Sequence, residues 1–111
     1  MAASVNTSGA QSVTINVETT LATITAAGTY QLVLDLSVLA NGATPDLFEV
    51  RIYGKARTTD TERLEEMYVF IGAQSKPLWR SPPVWSPHHL RVSIEQTQGT
   101  ARTYPWAIYQ P

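Results

Sequence analysis

The side chains able to do chemistry are few, and their spacing does not gather them. His88 and His89 are the only histidines. On a strand, neighbouring residues point to opposite faces, so this pair cannot chelate one ion in the usual way. With no cysteine in the chain, no metal site and no thiol chemistry are expected. Asp35, Asp46, Asp60 and the adjacent Glu65 and Glu66 are the carboxylates that could serve glycoside hydrolysis, which needs two acids facing across a cleft. Their spacing ties no two of them together. Asp35 precedes a turn and can cap backbone amides, Asp60 falls in a hairpin connection, and Glu65 and Glu66 face opposite sides of a strand. No serine sits in a nucleophile elbow, and no glycine-rich loop could cradle a phosphate. The expectation is a protein with no catalytic residues, no metal and no cofactor, and hence not an enzyme.

Side chains suited to contact are more frequent. Arg51, Tyr53, Lys55 and Arg57 alternate along one face of a strand. Such a stripe either stands in water, where its charge discourages edge-to-edge pairing, or meets an acidic partner. Trp79 and Trp85 fall in a proline-rich segment, and Trp106 in the closing strand. Aromatic side chains in such a segment either plug the core beneath it or mark a protein interface or a platform for sugars. Val5, Val13, Ile15 and Val17 are the apolar side chains of a neutral start. Together with Arg51, Tyr53, Lys55, Trp79 and Trp85 they form the candidate contact set.

Charge narrows the partners. Eight basic and nine acidic residues leave a net charge of −1, without the clustered Lys and Arg that phosphate neutralisation requires, so nucleic acid is not expected as a partner. Charged residues make up 15% of the chain, against roughly 25% in typical soluble domains. The deficit is uneven, because Glu18 is the sole charge before Asp35. A neutral start rich in Thr, Ser and Ala either lies against another protein surface or hangs as a mobile tail. It lacks the basic and apolar regions of a secretory signal, and nothing approaches the ~20 apolar residues of a membrane-spanning helix. The lack of cysteine fits an intracellular life.

The elements that must position these residues read as strands. Leu32 and Leu34, then Phe48, Val50 and Ile52, then Leu90, Val92 and Ile94 repeat with period two. Residues 1–11 read as an extended arm, and 12–111 as a single domain. Val13, Ile15 and Val17 predict a first strand, with β-prone residues continuing over 21–25. Further strands are expected at 29–35, 47–57, 63–72, 88–97 and 101–109, with Asn41-Gly42 and Gln98-Gly99-Thr100 as turns. Both faces of 63–72 are apolar near its end, which predicts a central or doubly covered strand. Pro77, Pro82, Pro83 and Pro87 make 75–86 a sheet edge or an irregular crossing. Seven or eight strands with turns every 8 to 12 residues have the cadence of an all-β antiparallel sandwich, or jelly roll.

The segment Ala27-Gly28-Thr29-Tyr30-Gln31-Leu32-Val33-Leu34-Asp35-Leu36-Ser37, with Asn41-Gly42 and Phe48-Glu49-Val50-Arg51-Ile52-Tyr53, resembles small β-structured virion proteins of tailed bacteriophages. The closing Gln96-Thr97-Gln98-Gly99-Thr100-Ala101-Arg102-Thr103-Tyr104-Pro105-Trp106 has the same character. Such proteins include capsid decoration, or cement, proteins, which clamp neighbouring major capsid subunits, commonly as trimers, with an N-terminal arm that often reaches onto the shell. The resemblance implies a non-enzymatic virion protein on the capsid surface, assembled in the host cytoplasm. Its partners would be the major capsid protein and further copies of itself, and removing residues 1–11 would leave a folded domain unable to attach. The other readings are a carbohydrate-binding or host-recognition module, with Trp79, Trp85, Tyr53 and Tyr68 as stacking platforms, and a tail, connector or fibre component.

Overall fold

In the computed structural model, which describes residues 4–111, alternation fixes nine strands. They are β1 (Ser4–Ser12), β2 (Thr19–Ile24), β3 (Gly28–Asp35), β4 (Leu47–Gly54), β5 (Arg63–Ile71), β6 (Leu78–Arg80), β7 (Val84–Ser86), β8 (Leu90–Gln98) and β9 (Thr103–Gln110). One antiparallel sheet runs β1-β9-β3-β6, with β7 also paired to β3, and the other runs β2-β8-β4-β5. The chain is all-β and its two sheets share one core. Tyr30, Leu32 and Leu34 of β3 with Tyr104 and Ile108 of β9 meet Phe48, Val50 and Ile52 of β4 and Leu90, Val92 and Ile94 of β8. The rings of Phe48 and Tyr104 join the sheets, with centroids 4.3 Å apart. Burial of each such side chain contributes about 1.5–3 kcal/mol, which is what holds together strands that make few local contacts.

The stretch expected as an extended arm is, from Ser4 onward, strand β1, paired antiparallel with β9 from Ser4 opposite Gln110 to Ser12 opposite Thr103. Residues 1–3 lie outside the described residues. Gly9 sits opposite Trp106, whose indole packs so close that a β-carbon at position 9 would lie 3.3 Å from Nε1. Removing residues 1–11 would therefore uncover β9, so loss of attachment in such a truncation would not isolate an arm.

The first strand expected from Val13, Ile15 and Val17 is not formed. The chain crosses from one sheet to the other there, and the crossing needs a reversal. Asn16 adopts φ +65°, in the left-handed region that Asn tolerates and β-branched residues resist. The Val17 N–H donates to the Thr14 carbonyl, and the Asn16 N–H to that of Gln96. Val13 turns into the core, while Val17 stands out from it.

The proline-rich crossing supplies β6 and β7, which account for nine strands where the sequence suggested seven or eight. Both pair with β3 at the sheet edge, as prolines require. At the interruption, buried Ser81 carries the ladder. Its N–H donates to the Leu32 carbonyl, and its hydroxyl accepts the Leu32 N–H at 2.9 Å. The return strand β5 is the larger departure. It is neither central nor covered on both sides but forms the edge of its sheet, next to β4 alone.

Candidate interaction surface

Of the carboxylates considered for catalysis, the three aspartates are taken up by backbone N–H groups, and Asp46 and Asp60 also by arginine. Asp35 Oδ1 accepts the Ser37 N–H at 2.9 Å, capping its turn. Asp60 accepts the Arg57 N–H and pairs with the Arg57 guanidinium at 2.9 Å. Glu66 accepts the Tyr68 hydroxyl, and Glu65 lies over Gly54. Asp46 is 2% exposed and staples three connections: its carboxylate accepts the N–H groups of Ala40 and Thr100 and the Nε–H of Arg102, the last at 2.7 Å. Glycine is required at 99, where φ is +94° and a β-carbon would collide with Asp46. Among the described residues, no three His, Asp or Glu side chains are grouped to hold a metal ion.

The outer face of the β2-β8-β4-β5 sheet carries a different arrangement. Arg51 bonds Glu95 at 2.7 Å and Glu49 beside it, and lies 3.5 Å from Glu18. The guanidinium of Arg91 bonds Glu62 at 2.8 Å and stacks 4.1 Å above the ring of Tyr53. His89 meets the same Glu62 at 2.6 Å. Glu18 accepts the hydroxyls of Tyr53 and Ser93. Burial pushes its carboxyl up, but those two hydroxyls and the charges of Arg51 and Arg91 outweigh burial and leave it below the usual carboxylate value.

Arg51 and Tyr53, read from sequence as part of a stripe that either stands in water or meets an acidic partner, are engaged within the chain. Two guanidinium groups stand against four carboxylates, so this patch is net acidic. Lys55 lies past the end of β4, beside a recess of about 300 Å³ lined also by Thr25, Thr58, His88 and His89. Replacing Arg51 by Ala leaves Glu18, Glu49 and Glu95 facing one another. The expected loss is about 1.5–3 kcal/mol at neutral pH, the magnitude of a hydrogen bond to a charged group, shrinking in acid as Glu18, whose folded value is lowered in part by Arg51, takes up its proton. Urea unfolding at two pH values checks it.

Beside the charged patch runs an apolar row. In register, Leu47, Glu49, Arg51 and Tyr53 of β4 stand opposite Ile71, Val69, Met67 and Leu64 of β5. These four β5 side chains share the outer face and are 49–61% exposed. On the inner face, Tyr68 and Phe70 pack against Trp79 with centroids 4.9 and 5.4 Å apart. Trp79 is therefore a core plug. Trp85 on β7 is 68% exposed and free to meet a partner, and Val5 and Leu78 also stand out.

The row was concealed in the sequence because an apolar strand is usually read as covered. The available signal was Thr58 to Glu62, a hairpin that hands β5 to β4 and leaves its far side to the next segment of the chain. That segment is rich in proline and joins the other sheet instead. The outer face of that other sheet holds a hollow of about 440 Å³ between Ser8, Val33, Asp35, Leu78, Pro105 and Ala107. Comparison of the chain with models of protein families, with curated proteins and with solved structures finds no match.

Proposed function

We propose that this chain is a non-enzymatic structural protein of a tailed-phage particle that associates with itself and decorates the capsid shell, bridging major capsid subunits. In this reading the two sheets are the layers of a jelly-roll-like sandwich whose surfaces grip neighbours. The resemblance of 27–37, 41–42, 48–53 and 96–106 to small virion proteins supports the particle. The observation that carries the binding role is the uncovered row Leu64, Met67, Val69 and Ile71 on an edge strand. Proteins that act alone blunt such edges with charge, proline or a covering segment. The other sheet offers β1, a nine-residue edge with no charged residue.

Cosedimentation of the purified protein with shells assembled from the capsid protein of the same genome tests the reading. Saturation at a fixed ratio to capsid subunits is expected, weakened at least tenfold by Trp85→Ala or by Val5→Lys, both on exposed positions. No cosedimentation, or a handful of copies per virion by quantitative mass spectrometry, would reject decoration.

The exposed indole of Trp85 favours a second reading, a carbohydrate-binding or host-recognition module, because a free aromatic face can stack on a sugar ring. A glycan array settles between them. Binding that is lost in Trp85→Ala supports this module, and an empty array removes it.

A further inference from the structure

The geometry points to a second copy of this chain as the edge partner of β5, joined through antiparallel β5-to-β5 pairing about a two-fold axis at Val69. This deepens the self-association in the reading above and does not depend on which particle, if any, the chain belongs to. Two observations set the occupant. First, among the described residues β5 has β4 on one side and no strand on the other, so its outer backbone groups lack a ladder partner. Second, among registers that pair five or more of its residues, its sequence is self-complementary in one. Residues paired across antiparallel strands share a face, so along Glu66–Ile71, past the irregularity that brings Leu64 to the outer face, odd positions must oppose odd and even must oppose even.

A centre at Val69 sets Met67 against Ile71 of the other copy, Val69 against Val69, and Tyr68 against Phe70. Apolar side chains then meet only apolar ones on both faces. Arg63, Glu65 and Glu66 fall beyond the paired stretch. A centre at Met67 would place Glu65 against Val69 and Arg63 against Ile71, and a centre at Glu65 would put two like charges face to face.

Area sets the strength. A stable interface removes on the order of 800 Å² per partner, and the three half-exposed side chains of the paired stretch, Met67, Val69 and Ile71, supply well under half of that. The remaining attraction comes from the main-chain bonds of two edges. The association is therefore concentration-dependent, and the edge is satisfied fully only where copies are crowded together. An isologous contact of this kind closes at two, whereas the trimer implied by the resemblance requires a head-to-tail contact.

The natural chain has no cysteine, so single replacements report the register cleanly. Directly opposed β-carbons lie about 4.5–5.5 Å apart, close enough for a disulfide after slight adjustment. Val69→Cys is expected to form a covalent dimer under mild oxidation. Met67→Cys alone is not, because two copies of position 67 stand about 13 Å apart in this register, but Met67→Cys combined with Ile71→Cys is.

Sedimentation of the unmodified protein should show mass rising from one chain to two with concentration. Val69→Lys sets two ammonium groups together on the axis and should weaken that rise at least tenfold, with an unchanged melting curve because position 69 points away from the core. A single-chain mass at millimolar concentration, a three-chain mass, or crosslinking through Met67→Cys alone as efficient as through Val69→Cys would overturn the proposal. These measurements contain no shells. A dimer that fails to cosediment rejects the particle role alone, and a monomer that saturates shells rejects the seam alone.

Discussion

Asp46→Ala should lower the unfolding free energy by about 3–5 kcal/mol at neutral pH, the loss associated with removing one partner of a buried ion pair. Four donors lose this acceptor together: the N–H groups of Ala40 and Thr100, the Nε–H of Arg102 and, at 3.4 Å, the Gln96 amide. The neighbouring Gln96 amide keeps its bond to the Thr100 carbonyl, so the damage falls on the connections around residues 40, 100 and 102. Burial alone would raise the Asp46 carboxyl, but the bonds from Ala40, Arg102 and Thr100 outweigh it and hold it below the ordinary value of 3.8.

Because the folded value is the lower one, the stabilisation from Asp46 is complete above the unfolded value and is lost as pH falls through the folded value. Glu18, Glu62 and Asp35 are also lowered and act in the same direction. The difference between the natural protein and Asp46→Asn isolates the single group. That difference should be steady near neutrality and narrow below about pH 4. Guanidinium unfolding at a series of pH values checks it, and a difference that widens in acid would contradict this account of Asp46.

Phe48→Ala should cost about 3–5 kcal/mol, as for other large aromatic side chains deleted from a close-packed core. Phe48 has no exposed surface, lies against Tyr104 of the opposite sheet and has Phe70 6.5 Å away on the adjacent strand. Deleting the ring opens a void where the two sheets meet, and Tyr104 is not free to fill it. Its hydroxyl donates to Gln96 Oε1 at 2.7 Å inside the core, and burial pushes its phenol well above the usual range. Phe48→Leu, which keeps most of the volume, should lose about half as much. The comparison of the two variants by urea denaturation tests the point, and a loss below about 1 kcal/mol for Phe48→Ala would mean that the sheets close over the gap.

What could be read from residue order was the part decided by period. Leu32, Phe48, Val50, Ile52, Leu90, Val92 and Ile94 alternate in sequence and all are buried, because inside-outside patterning on a strand is local. The prolines marked the edge for an equally local reason, the missing N–H. Three features were not legible. Val13 to Val17 has a strand's alternation, but it must bend where the chain changes sheets, and the partner carbonyl at Gln96 is distant in sequence. The outer face of β4 offered Arg51 as a free cation, and only the fold brings Glu18 and Glu95 to it from β8 and from the segment preceding β2. In β5, residue types give the number of apolar faces, whereas neighbours decide whether they are covered.

All but two of the connections, the β4 to β5 hairpin and the step from β6 to β7, pass from one sheet to the other. β1, the first of the nine described strands, takes its ladder partner from β9, the ninth. Assembly is consequently ruled by pairings between distant parts of the chain, which places refolding among the slow, millisecond-to-second β topologies. During translation β1 must wait without its mate until Gln110 has cleared the ribosome, and a segment of Ser, Thr, Gly and Gln stays dissolved through that interval far better than a row of valines would.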